Sequence, residues 1–164
     1  MDRLFVLGLN HRYAPVQFRE KLAFPKNEMA SVLFRLREIP GLCESLVIST
    51  CNRVEIYGVS EQLKPAREAL MRFLSFYHAV ELDSLSRSTY FYEGDRAVRH
   101  LFRVASGLDS MVVGECEILG QVKESYRLAS QEGNVKALLH QFQIDPAMSG
   151  GLSSQRSSPW IQKD

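Results

Sequence analysis

The 164-residue chain carries only three cysteines, at positions 43, 51 and 116, and none stand in CxxC spacing. An odd number without paired spacing argues against a disulfide framework and against a zinc site, and fits a reducing cytoplasm. No apolar run approaches the ~20 residues needed to cross a bilayer. The start, Met1-Asp2-Arg3-Leu4-Phe5-Val6, passes straight into strand-like sequence without a basic segment and a long apolar core, so neither a secretory signal nor a transit peptide is expected. The formal net charge is only +1, so no bulk field draws a polyanion, although a local patch could. There is no GxGxxG after a strand and no GxxxxGK[ST], which removes the common dinucleotide and nucleoside-triphosphate fingerprints. Internal repeats are also absent.

What is present is an ordinary globular composition, 45% hydrophobic and 24% charged, sufficient for one domain or one domain with an appendage. Leu4 to Leu9 reads as a first strand, followed by the loop Asn10-His11-Arg12-Tyr13-Ala14-Pro15. A short helix is expected over 16–23. A second, at about 27–39, carries Met29, Val32, Leu33 and Leu36 on one face and is stopped by Pro40-Gly41. Strands follow at about 45–50 and 54–59, then a helix at about 64–80 with Pro65 in its first turn. Thr89 to Tyr92 gives a short fourth strand. Helix 95–106 is expected to bury Ala97, Val98, Leu101, Phe102 and Ala105, and helix 115–131 to bury Ile118, Leu119, Val122, Tyr126 and Ala129. A further helical turn or two is expected over 135–143. This order predicts an α+β fold: a four-stranded, mostly antiparallel sheet covered by helices in a ferredoxin-like βαβ-type layout, plus a helical subdomain. Residues 149–159, Ser-Gly-Gly-Leu-Ser-Ser-Gln-Arg-Ser-Ser-Pro, cannot build a core, and the tail is expected to be disordered.

The most informative stretch is Ser-Thr-Cys-Asn-Arg-Val-Glu-Ile-Tyr at 49–57. Cys51 falls in the turn between two core strands, where a rigid scaffold presents a side chain to a ligand. In extended backbone Cys51 and Arg53 would share a face, and a nearby guanidinium favours thiolate over thiol. Arg53 could equally grip a carboxylate with its two-pronged fork. A half-buried structural cysteine beside a surface arginine is the bland reading, and local pattern alone leaves it open. Arg96, Arg99, His100 and Arg103 form a second face on helix 95–106, either a cationic strip for carboxylate or phosphate or simply a solvated face. Asp109 or Ser110 could cap the break that follows, and Gln121 lies one turn beyond Glu117, so the two can face a common ligand. Cys51 with His11 or His100 has the parts of a nucleophile and a base.

Four segments in order, Gly8-Leu-Asn-His-Arg-Tyr-Ala-Pro-Val16, the 49–57 run, His100-Leu-Phe-Arg-Val-Ala-Ser-Gly-Leu-Asp-Ser-Met111 and Gly114-Glu-Cys-Glu-Ile-Leu-Gly-Gln-Val-Lys123, resemble the glutamyl-tRNA reductase family. The resemblance covers its N-terminal catalytic domain, to about residue 143, and is specific because all four segments match in order. It implies reduction of glutamyl-tRNA to glutamate-1-semialdehyde, the first committed step of tetrapyrrole synthesis. On it, Cys51 attacks the glutamyl ester to form a thioester, which hydride from NADPH releases as aldehyde, and His100 orients the substrate or acts as a base. It also implies that Thr50, Asn52, Arg53, Ser110, Glu115, Cys116, Glu117 and Gln121 line the substrate site. Two residues depart from the family pattern: Cys116 replaces a proline and Glu117 a glutamine, the latter adding negative charge near a site for an anionic substrate.

Family members continue into an NADPH domain and a dimerisation domain, and hand their product to glutamate-1-semialdehyde aminomutase. Here the match dissolves after about residue 143, so 1–143 is expected to be the catalytic domain, 144–164 an atypical tail, and the chain a truncated or frame-shifted product. The leading expectation is therefore a domain that forms or hydrolyses a thioester without a hydride source of its own. A catalytically idle remnant that binds glutamyl-tRNA or a partner is the alternative. A redox-sensing thiol protein lacks a resolving-cysteine pattern.

Overall fold

The structure, a computed structural model, describes residues 3–114 and 117–142. Four strands, β1 (Arg3–Asn10), β2 (Glu44–Ser49), β3 (Arg53–Ser60) and β4 (Tyr90–Glu93), form one sheet in the order β2-β3-β1-β4, every pair antiparallel. Between β1 and β2 lie α1 (Val16–Leu22), a single 3-10 turn (Lys26–Glu28) and α2 (Met29–Arg37). Between β3 and β4 lie α3 (Leu63–His78) and α4 (Leu82–Ser88), and after β4 come α5 (Asp95–Ala105), α6 (Glu117–Gln131) and α7 (Ala137–His140). This is the expected α+β fold, with the split βαβ order of a ferredoxin-like sheet. The tail 144–164, expected to be disordered, lies outside the described residues.

The sheet is buried on both faces. Phe5, Leu7 and Leu9 of β1 and Val54 and Ile56 of β3 belong to one continuous apolar core with Leu22, Val32, Leu33, Leu36 and Leu70 from the helices. Alternation then puts Arg53, Glu55 and Tyr57 together on the opposite face, and all three are buried as well. An alternating strand of this kind ordinarily turns its polar face to water. Here α5 covers it. The buried face of α5 is therefore Ala97, His100, Leu101, Val104 and Ala105 rather than the expected stripe, and Phe102 is 46% exposed. The stripe is rotated because His100 has a polar partner inside the molecule, which an apolarity count cannot register. The sequence pattern also gives no sign of α4, whose seven residues bury only Leu85 and so carry no period.

Glycine is required at two places in the sheet. A Cβ on Gly8 would lie 2.7 Å from Cγ of Glu55, and one on Gly58 would lie 2.4 Å from Cζ of Phe5. Gly8 pairs with Glu55 on one side and Tyr90 on the other, so its missing side chain is the space across which those two groups meet.

The C-terminal helices are fastened to the edge strand β2 by polar groups. Buried Glu44 accepts hydrogen bonds from the backbone N–H groups of Lys136 (2.7 Å), Leu138 (2.9 Å) and Leu139 (2.9 Å), acting as an anionic cap on α7. Asn134 donates to the Leu33 carbonyl at 2.8 Å and to Ser45 Oγ at 2.7 Å. Replacing Glu44→Ala removes three charge-assisted bonds and strands three N–H groups. A loss of about 2–3 kcal/mol is expected from the shift in urea midpoint, against under about 1.5 kcal/mol for Glu44→Gln, which keeps acceptor capacity.

Candidate active site

Cys51 is exposed at the tip of the β2–β3 hairpin. The turn is tightly closed. Thr50 N–H donates to the Arg53 carbonyl at 2.8 Å, and Thr50 Oγ1 accepts from the N–H groups of Asn52 and Arg53, both at 3.2 Å. Two outside groups pin it. Arg19 Nε donates to the Cys51 carbonyl at 3.4 Å while its Nη1 holds the Ala14 carbonyl at 2.7 Å, and His11 N–H donates to the Asn52 carbonyl at 3.1 Å. Cys51 lies in a bend, so the period-two reasoning for extended backbone does not apply. It faces solvent, whereas Arg53, the first residue of β3, is 1% exposed.

Beneath the turn lies a buried ionic cluster. Arg53 Nη1 donates to Glu55 Oε1 at 2.8 Å, and its Nη2 donates to the Asp109 carboxylate at 3.0 Å and the Asp109 carbonyl at 2.7 Å. Glu55 Oε1 also meets His100 Nε2 at 2.7 Å and accepts from the Tyr90 hydroxyl, and its Oε2 accepts from Tyr57 Oη at 2.7 Å. Burial would push the Glu55 carboxyl up, but the His100 hydrogen bond, the Arg53 charge and the Tyr90 hydroxyl outweigh it and hold the group at about 2. An ionised Glu55 has no proton to give, so the proton between it and His100 sits on Nε2, leaving Nδ1 as the imidazole nitrogen not committed to Glu55. Burial, then the neighbouring Glu55 charge, pushes the Tyr90 hydroxyl well above its ordinary value, so Tyr90 stays a donor.

Two cavities flank the turn. One, about 270 Å³, is lined by Asn10, Arg12, Tyr13, Arg99, His100 and Asp109, with Arg96 and Arg103 at its rim. Asn10 Nδ2 donates to Asp109 at 3.4 Å, and Arg12 Nη1 lies 3.6 Å from the same carboxylate. The other, about 580 Å³, lies between α2 and α6 and is lined by Lys26, Met29, Ser49, Glu117, Gln121 and Leu128. There Gln121 Nε2 donates to Glu117 Oε1 at 3.4 Å, as their one-turn spacing suggested.

The structure thus brings Arg53 and His100 into one cluster, with Thr50, Cys51 and Asn52 directly above it. Glu117 and Gln121 line the separate cavity. Ser110 is half-buried in the α5–α6 connection, next to the anchored Asp109, and Glu115 and Cys116 lie outside the described residues. Two residues central to the cluster are not among those the sequence singles out for the site, Glu55 and Asp109. The arginine fork points inward at both. Glu55 could have been suspected from its place between Arg53 and Tyr57 on one strand face; Asp109, 56 residues from Arg53, left no local signal.

The β1–α1 loop and the β3–α3 link contain no glycine, and Gly94 before α5 leads into Asp95, whose charge opposes a pyrophosphate.

The buried cluster makes acid stability specific. Glu55 has a depressed folded pKa, so its contribution is fully present above the ordinary carboxylate value and is lost as pH falls from about 4.5 through 2. His78, packed against Phe24 and Tyr77, is pushed down by burial to about 4. The unfolded chain therefore takes up that proton first, and stability declines between about pH 6.5 and 4. Urea midpoints measured from pH 7 to 2.5 should show both declines. Glu55→Gln should flatten the lower one and His78→Phe the upper, each leaving the other in place.

Residues 7–147 match the family described as Glutamyl-tRNAGlu reductase, N-terminal domain. The chain is 43% identical over 138 residues to the glutamyl-tRNA reductase of Bacillus subtilis, a match covering 84% of this chain and 30% of that protein. It is 50% identical over 127 residues to the glutamyl-tRNA reductase of Rubrobacter xylanophilus, covering 77% of this chain and 29% of that one. Among solved structures, glutamyl-tRNA reductase from Methanopyrus kandleri superimposes with a TM-score of 0.63 at 35% identity, over 83% of this chain and 30% of that chain. This chain spans about 30% of the length of the curated relatives it matches. On the family match and these identities, the chain belongs to the glutamyl-tRNA reductase family, through its N-terminal domain.

Proposed function

We propose that this domain binds glutamyl-tRNA and accepts its glutamyl group on Cys51, as the acyl-transfer half of NADPH-dependent glutamate-1-semialdehyde formation in a cytoplasmic tetrapyrrole pathway. The observation that carries this reading is the exposed thiol on a pinned turn that ends at Arg53, the arginine of a buried Arg53–Glu55–His100 cluster. Cys51 Sγ, as thiolate, forms a bond to the ester carbon. The C–O bond to the terminal ribose breaks, and the ribose oxygen leaves with a proton, so a thioester replaces an ester. His100 has only Nδ1 for exchanging protons with substrate, because Glu55 occupies Nε2 and fixes the ring. Arg53 draws the side-chain carboxylate of the glutamyl group, which exchanges with Asp109. Thr50 and Asn52 shape the turn that carries the thiol, and Ser110, Glu115, Cys116, Glu117 and Gln121 complete the substrate site.

For this domain taken alone, the expected fate of the thioester is hydrolysis. Water attacks the thioester carbon, the C–S bond breaks, and glutamate and the thiol are released. Homodimerisation and hand-over to an aminomutase belong to the same reading of the whole reductase.

Incubating the 164-residue chain with glutamate-labelled glutamyl-tRNA should give a hydroxylamine-sensitive label on the protein and slow release of glutamate, with no aldehyde on adding NADPH. Cys51→Ser should lower both label and release at least 100-fold while leaving tRNA affinity within twofold. Unchanged glutamate release would remove Cys51 from the reaction and leave a binding domain.

A further inference from the structure

Outside the cluster, a groove of about 920 Å³ runs along the open edge of β4 beside the start of α3. Its charge is one-sided. Arg3, Lys64, Arg67 and Arg96 line it against a single acid, Glu93. None of these four cations has a carboxylate within ion-pair distance among the described residues. Two of the guanidiniums are braced on aromatic rings, Arg67 at 5.3 Å from the Phe91 centroid and Arg96 at 4.1 Å from that of Tyr92. A braced guanidinium has less rotamer freedom to lose on meeting an anion.

The backbone adds charge of the same sign. The 16-residue α3 opens into this groove at Gln62, Leu63 and Lys64 with no side-chain cap and no acidic residue in its first turn. Its positive end stands among cationic side chains. The groove neighbours the cavity at His100 and Asp109, Tyr92 and Arg96 lining both. From there Arg99, Arg103 and Arg12 carry the positive track toward Asn10 and His11, whose N–H bonds Asn52 next to Cys51.

We propose that this groove binds the phosphodiester backbone of the substrate RNA, with the track leading its aminoacylated 3′ end to Cys51. The site deepens the glutamyl-tRNA reading and rests on it. Several anionic groups must be met at intervals along a path, which suits a phosphate chain better than one small anion. Both faces of the sheet are covered, so RNA meets this domain at an edge, and β4 is the edge that carries the cations. The chain's net charge of +1 hides the patch, because acids elsewhere cancel it.

The test uses the full 164-residue chain and a fluorescein-labelled minihelix of the tRNA acceptor stem and 3′ strand, without an amino acid, in polarisation titrations from 50 to 200 mM salt. Lys64→Glu and Arg67→Glu change exposed side chains, so folding should survive, and melting curves check it. Each should weaken binding at least fivefold, and the double variant at least tenfold. The slope of log K against log salt should become shallower by about 0.7 for each single-strand phosphate that the protein no longer neutralises. Arg87→Glu, on α4 away from the groove, makes the same change in net charge and should stay within twofold. Equal effects of Arg67→Glu and Arg87→Glu would overturn the site, since bulk charge would then explain binding. Competition by polyglutamate as effective as that by unlabelled minihelix at equal charge would also overturn it, in favour of an acidic peptide. The probe carries no ester, so failure of the Cys51 chemistry and failure of the groove are read separately.

Discussion

The ionised carboxylate of Glu55, sealed inside the molecule, is the constraint on which the rest of the arrangement depends. Burying a lone carboxylate costs many kcal/mol, and such a group persists only when its oxygens are fully engaged. Glu55 is engaged by one residue from β4, one from α5 and two from its own strand. Gly8 is the condition for this, since a side chain there would occupy the space in which Glu55 and Tyr90 meet. Arg53 is left with a second pair of donors, and these draw in the α5–α6 connection through Asp109. One buried charge therefore fixes the register of β3, the rotation of α5 and the position of a distant loop. Removing Glu55 would leave Arg53 with Asp109 alone and strip His100, Tyr57 and Tyr90 of their shared buried acceptor, a far larger disturbance than breaking one surface ion pair.

That rigidity supports the proposed role of the exposed turn as a reaction centre. The Cys51 thiol is solvent-facing, but its backbone is fixed by Thr50 from within, by Arg19 and His11 from the sides, and by Arg53 from below. A thiol that must meet a bulky ester gains from access, and an acyl transfer gains from fixed geometry. Exposed side chain on immobile backbone supplies both. The histidine shows the complementary design, a buried ring with one nitrogen committed and the other on the cavity side.

Legibility followed where the physics is local. The strands, the long helices and the cysteine turn announce themselves through period, glycine and proline, and the ferredoxin-like order follows from them. The face of α5 does not, because Ala97, Leu101 and Ala105 share it with a histidine whose partner is 45 residues away. Arg53 looked like a surface fork because Arg-Val-Glu-Ile-Tyr reads as an ordinary half-solvated strand. Only the packing of α5 over it turns three polar residues into a buried cluster. Asp109 read as a cap because its partner is brought to it by tertiary structure alone. Charge balance was equally opaque, since a formal sum near zero conceals cations segregated along one edge.

The position of Glu117 bears on how an anionic substrate enters. It shares its cavity with Lys26, Gln121 and Glu124, so its negative charge adds to one already present and is only partly offset. The cavity across the turn has the opposite character, with Arg12, Arg96, Arg99 and Arg103 around a single buried acid that is itself held by Arg53. On the proposed reading, a glutamyl carboxylate and RNA phosphates would both be drawn to the second side. Ser49, at the start of the turn, lines the first cavity, while Arg53, at its end, holds the Asp109 that lines the second. On that reading, Glu117 in place of the glutamine that the resemblance leads one to expect acts by biasing the field, favouring the arginine side for the anionic end of the substrate.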